Sequence, residues 1–100
     1  MPAKRALIMH PSDNVATAVE EIAAGDEVRI PVGKQFRSLP AAEAVPFGFK
    51  IALEAIPPGA VIIKYGETIG KASAAIPRGG MVHIHNLEGT RARGDLEKRG

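Results

Sequence analysis

The stretch IPPGAVI, residues 56–62, sets an isoleucine, a proline-glycine turn and an apolar run in that order. Proline presets the backbone early in a turn and glycine accepts the positive φ that a later position needs, so the segment reads as a corner feeding a strand. The same order, I-x-x-G-x-x-[VI], returns in IAAGDEV at 22–28 and IPRGGMV at 76–82, and VPFGFKI at 45–51 follows it with valine first. The unequal intervals argue against a solenoid and for one domain with repeated corner chemistry. Short strands between such corners predict an all-β or β-rich fold with one short helix.

Composition narrows the function classes. A chain of 100 residues fits one domain with a modest core, and with 45% hydrophobic but only 4% aromatic residues that core must be Val, Ile, Leu and Ala. Few rings leave little for bases to stack on, and no basic stripe interleaves with Phe or Tyr, so nucleic acid is not expected as a partner. A formal net charge of +2 supports no electrostatic partner. The absence of cysteine rules out disulfides, thiolate metal sites and a cysteine nucleophile. No apolar run has the length of a membrane span or of a signal core, so the expectation is a cytoplasmic protein with no membrane partner.

Along the chain, residues 6–9 suit a buried strand that stops at His10-Pro11. Ser12, Asp13 and Asn14 then offer capping side chains ahead of Val15, Val19 and Ile22, whose spacing predicts a helix of about two turns ended by Gly25. Asp13 or Asn14 is then an N-cap, or else this turn gathers a carboxylate, an amide and His10 around a ligand. Residues 27–32 read as a strand and 34–37 as a polar loop, with Arg29, Lys34 and Arg37 as solvated edge charges or as attractors for an anion. Further strands are expected at 49–53, 61–65 and 68–73, and residues 89–100 show no apolar periodicity and read as a tail.

Two stretches carry candidate chemistry. In VHIHNLE, 82–88, alternation on an extended strand would put His83 and His85 on one face and Val82, Ile84 and Asn86 on the other. Two imidazoles so placed can share a metal ion or act as acid and base near neutral pH, and equally are what a solvent-facing strand carries. In KYGE, 64–67, Lys64 can hold a carboxylate and Tyr65 can donate a hydrogen bond or a proton, while the plain reading is a turn with a lysine and a tyrosine laid over the core.

Taken together, HPSDNVATAV at 10–19, VPFGFKIALEAIPPG at 45–59, VIIKYGETIGKA at 61–72 and VHIHNLE resemble the N-terminal domain of the altronate and galactarate dehydratase family, which includes the small subunit of sulfolactate sulfo-lyase. The resemblance runs from about residue 10 to 88. It implies a SAF-type domain with the β-clip fold over residues 1–88 and a flexible tail at 89–100. Family enzymes remove water, or sulfite in the sulfo-lyase, from hydroxy acids to give a keto acid, typically with a divalent metal such as iron. The implied role is a lyase small subunit, inactive without a separate large dehydratase or sulfo-lyase subunit, with association between its own copies left open.

Such chemistry needs a base beside the carboxylate, an acid for the leaving group and positive charge on the developing enediolate. His83 and His85 fit the acid, base or metal-ligand roles, and Lys50 and Lys64 fit carboxylate binding. Tyr65 fits a substrate contact, and Asp13, Asn14 and Asn86 would orient hydroxyls or supporting groups. All of this requires the imidazole pair, the HPSDN turn and the KYG corner to share one cleft. Where the family usually reads glycine-histidine-lysine, this chain has Gly48-Phe49-Lys50, which implies an altered substrate, a ligand from the large subunit, or lost activity. The alternative is a non-catalytic module that binds an acidic ligand or steadies a partner.

Overall fold

The computed structural model describes residues 3–83 and 85–89. The described residues make nine strands: β1 (Lys4–Leu7), β2 (Val15–Ala18), β3 (Glu27–Val32), β4 (Gln35–Pro40), β5 (Lys50–Ala52), β6 (Val61–Lys64), β7 (Glu67–Ala72), β8 (Met81–Val82) and β9 (Leu87–Gly89). One sheet runs β4-β3-β1-β2-β5-β8 and the other β6-β7-β9. Every pairing is antiparallel except β1 with β3, which is parallel. The fold is all-β, and none of the described residues lies in a helix, let alone one long and apolar enough to cross a membrane.

The four expected corners are present and build the molecule. In each, the residue after the apolar anchor accepts a hydrogen bond from the residue three further on, and the glycine between has φ between 83° and 88°, the geometry of a type II turn. Each corner glycine donates its N–H to an alanine carbonyl at 2.8 Å: Gly25 to Ala41, Gly48 to Ala18, Gly59 to Ala72 and Gly79 to Ala52. Each of those alanines donates back to the carbonyl of the residue after the glycine. The anchors also pair, Ile22 with Val45 and Ile56 with Ile76, through reciprocal main-chain bonds.

The chain therefore repeats one unit twice. In the first, two corners bracket the β3–β4 hairpin; in the second, two corners bracket the β6–β7 hairpin. Each unit has its own core. One holds Ile22, Val28, Ile30, Leu39, Val45 and Ile51; the other holds Val15, Ile56, Ile62, Ile76 and Val82. Each such side chain stabilises by about 1.5–3 kcal/mol on leaving water, so either core alone is small. β2 ties them together, because its buried Val15 enters the second cluster and its buried Ala16 and Ala18 the first.

Three expectations fail. The helix over 15–22 is instead β2 followed by a corner. Its strongest helical signals, Val15 and Val19, are β-branched and as well suited to a strand, and β2 is held between β1 and β5. Residues 35–37 are not loop but the start of β4, since the reversal is confined to Gly33 and Lys34. Nor is 82–88 one continuous strand: β8 stops at Val82, and Asn86 N–H bonds the His83 carbonyl at 3.0 Å, which turns the chain before β9. Ile84 and residues 90–100 of the expected tail lie outside the described residues.

Candidate functional site

The loop between β1 and β2 is folded around Asp13. This carboxylate is buried, and one oxygen accepts the N–H groups of Met9, His10 and Tyr65 while the other accepts that of Gly66 at 2.8 Å. Burial alone would raise its pKa, but the four backbone donors outweigh burial and hold the carboxyl below its ordinary range. Asn14 continues the join: its amide donates to the Val61 carbonyl and accepts from Ile63 N–H at 2.8 Å. The HPSDN turn and the KYG corner are thus brought together as expected. The N-cap reading of Asp13 and Asn14 falls with the helix; both side chains fasten the loop to the second unit's hairpin.

At that hairpin's tip Tyr65 has φ 57° and Gly66 φ 72°, the paired left-handed conformation of a two-residue reversal. A left-handed conformation costs a tyrosine about 1 kcal/mol or more, which the hydrogen bonds that Tyr65 and Gly66 N–H donate to Asp13 offset. The Tyr65 ring is exposed, and Lys64 Nζ stands 5.0 Å from its centroid. Lys50, half-buried on β5, has its pKa lowered first by burial and then by the Lys64 ammonium. The two ammonium groups thus stand near enough to repel each other, and neither takes part in an ion pair among the described residues. Removing one should release the other. In Lys64→Met the Lys50 pKa is expected to rise toward its ordinary value while burial still holds it somewhat low; an unchanged Lys50 in an NMR titration would show that the two ammonium groups do not interact.

The third segment goes elsewhere. The buried Asn86 side chain accepts from His83 N–H at 2.9 Å and donates to the Met81 carbonyl at 2.8 Å. That local capture of the backbone competes with a strand ladder and explains the turn. His83 lays its ring on Phe49, with centroids 4.2 Å apart and planes 38° apart, and His85 is exposed. Phe49 and Ile51 pack with the first core, so Lys50 between them points to the other face, beside its strand partner Val82. The structure thus joins two of the three expected segments, and places the His83 ring on the opposite side of β5 from the Lys50 ammonium. Among the described residues no three His, Asp or Glu side chains converge as a metal site would need.

Two features had not been singled out. Ser12 N–H donates to His10 Nδ1 at 3.1 Å, and the Ser12 hydroxyl lies 2.8 Å from the same nitrogen. The other is the seating of the His10 ring on Gly66, where a Cβ would come within 2.9 Å of the imidazole. The signal was present in His-Pro-Ser ahead of Asp13, but its link to Gly66 depends on a contact between distant parts of the chain.

An all-β domain of paired corners, with its first loop clamped onto a lysine-bearing hairpin, matches a known class. The family model described as the altronate/galactarate dehydratase SAF domain covers residues 4–90, and the chain belongs to that family. Altronate dehydratase of Escherichia coli is 41% identical over 78 residues, which is 78% of this chain and 15% of that protein. Galactarate dehydratase (L-threo-forming) of Escherichia coli is 42% identical over 74 residues, 74% of this chain and 13% of that protein. The (2R)-sulfolactate sulfo-lyase subunit alpha of Chromohalobacter salexigens is 31% identical over 85 residues, 81% of this chain and 90% of that subunit. The chain thus spans a small part of the dehydratases and most of the sulfo-lyase subunit.

Proposed function

We propose that this chain is the small subunit of a lyase that dehydrates a sugar acid or desulfonates sulfolactate in the cytoplasm, and that it acts with a separate large subunit. The observation that carries the reading is the Lys50 and Lys64 pair beside the Asp13-clamped loop, in a chain whose relatives include dehydratases of sugar acids and a sulfo-lyase subunit. Two mutually repelling cations, one of them half-buried, suit a substrate carboxylate and the charge that grows on it as the neighbouring carbon loses its proton. The half-buried Lys50 loses part of its own stabilisation by water, which an anion would restore.

A divalent metal, iron above all, is what the family likeness implies, but two histidines without a third converging donor do not make a site for it among the described residues. In this reading the metal is held by the large subunit. His83 and His85 are the candidates for acid or base, His83 from the face of β5 opposite Lys50. The Phe49 contact, which occupies one face of the His83 ring, favours a second reading, in which the module binds an acidic ligand or steadies its partner without moving a proton.

The test is turnover of altronate, galactarate and sulfolactate by the chain co-purified with its large subunit. Lys50→Met and Lys64→Met are each expected to raise KM at least tenfold with a smaller effect on kcat. Unaltered KM in both would remove acid binding from this chain. Full activity in both His83→Ala and His85→Ala would leave the second reading in place.

A further inference from the structure

The β1–β2 loop has a second neighbour. A groove of about 190 Å³ separates residues 8–11 from residues 31–33, at the tip of the first hairpin. His10 lines it while its ring rests on Gly66 of the other hairpin, so one exposed imidazole stands between the reversals of both units. The surroundings of the ring bias its tautomer. A backbone N–H has no lone pair to offer, so the Ser12 N–H favours His10 Nδ1 as an acceptor and the proton on Nε2. The Ser12 hydroxyl can add its own hydrogen to the same nitrogen. Nε2 makes no hydrogen bond to protein among the described residues.

An N–H donor with no protein acceptor among the described residues, beside a groove and resting on Gly66 two residues beyond Lys64, is built for an oxygen that comes from outside. The groove is smaller than the roughly 300 Å³ at which sites for drug-sized ligands begin. Its walls divide about evenly between polar atoms and the carbon of Ile8, Met9, Pro11, Pro31 and Val32. That suits a small acid whose short carbon skeleton is studded with oxygens.

We infer that His10 contacts the hydroxy acid directly, its Nε2–H donating to a hydroxyl or carboxylate oxygen of an acid seated in this groove. The assignment rests on the acid-binding reading above and adds to the lysine pair a neutral donor. Gly66 is what allows it, since a side chain there would push the ring from its seat. Ser12 is a positioning residue that acts through His10.

The experiment is an NMR titration of the 100-residue chain, with ¹⁵N-labelled histidine and lysine, against altronate, galactarate and sulfolactate in turn. Before addition, His10 is expected as the Nε2–H tautomer at slightly alkaline pH. At least one acid is expected to shift His10 Nε2 in a saturable way together with Lys50 or Lys64 Nζ. His10→Ala should weaken binding of that acid at least tenfold, and His10→Gln, whose amide N–H reaches a similar point, should recover most of it. The Gly66 amide signal, held by Asp13, reports whether the clamp survives in each variant. Should His10→Ala lose the clamp, the Nε2 shift in the native chain decides. Lysine shifts without any at His10, or the Nδ1–H tautomer, would overturn this inference and leave the lysine reading standing. No shift at either would overturn both.

Discussion

Asp13→Asn is expected to lower the stability of the fold by about 3 kcal/mol at neutral pH, a large share of what a small domain has. The variant keeps the size of the side chain and loses its charge. It also gains two hydrogens that must face either Gly66 N–H or the three N–H groups gathered on the other oxygen. Urea denaturation measures the loss directly, and a change under about 1 kcal/mol would mean that the loop and hairpin hold together without this carboxylate. The pH dependence has a definite sign. The folded carboxyl is ionised at lower pH than the unfolded one, so over the intervening range the unfolded chain binds the proton first. The contribution of Asp13 is therefore complete above the unfolded value near pH 4, and is lost as pH falls from there through the lower folded value. The native chain and Asp13→Asn should accordingly draw closer in stability across that window.

Gly79→Ala is expected to be more damaging still, about 4 kcal/mol or more, and Gly59→Ala to cost only about 1–2 kcal/mol. Both glycines occupy the same position of the same turn, with φ of 83° and 84°, so the backbone penalty is shared. What differs is the surroundings. A Cβ on Gly59 meets nothing within 4 Å, whereas one on Gly79 would run into the Pro40 carbonyl oxygen and come within 3.0 Å of Ala42 N. The obstacle is main chain, which cannot swing aside, and the displacement would also strain the bond from Ala42 N–H to the Gly79 carbonyl. At roughly 4–8 °C of melting temperature per kcal/mol for a domain of this size, thermal melts separate the two cleanly. Equal shifts would show that the close approach is relieved without cost.

The sequence betrayed the corners because a type II turn leaves few options at its glycine, and the same solution was used four times. The fuller signature is eight residues long: alanine, three residues, Ile or Val, two residues, glycine, beginning at Ala18, Ala41, Ala52 and Ala72. Those alanines are the partners of the corner glycines, and a search for repeats longer than the turn would have found the duplicated unit. The helix over 15–22 failed because its period was weak and its residues also suit a strand, so strand pairing on both sides decided the matter. Of the candidate site, Lys50, Lys64, Tyr65 and the HPSDN turn were legible as types of residue, yet their meeting depends on how the second hairpin folds back onto the first loop. His83 was misplaced by one assumption, that alternation continues past Val82, where Asn86 bends the chain instead.

Each half closes its own corners, and the halves are joined by the β5–β8 pairing, by Gly79 seated against β4, and by the grip of one short loop on one hairpin through Asp13 and Asn14. Of these joins, only the loop's grip lies where His10 and Lys64 stand, and an acid that touched both would act as a rivet through it, so that filling the site and firming the fold become one event.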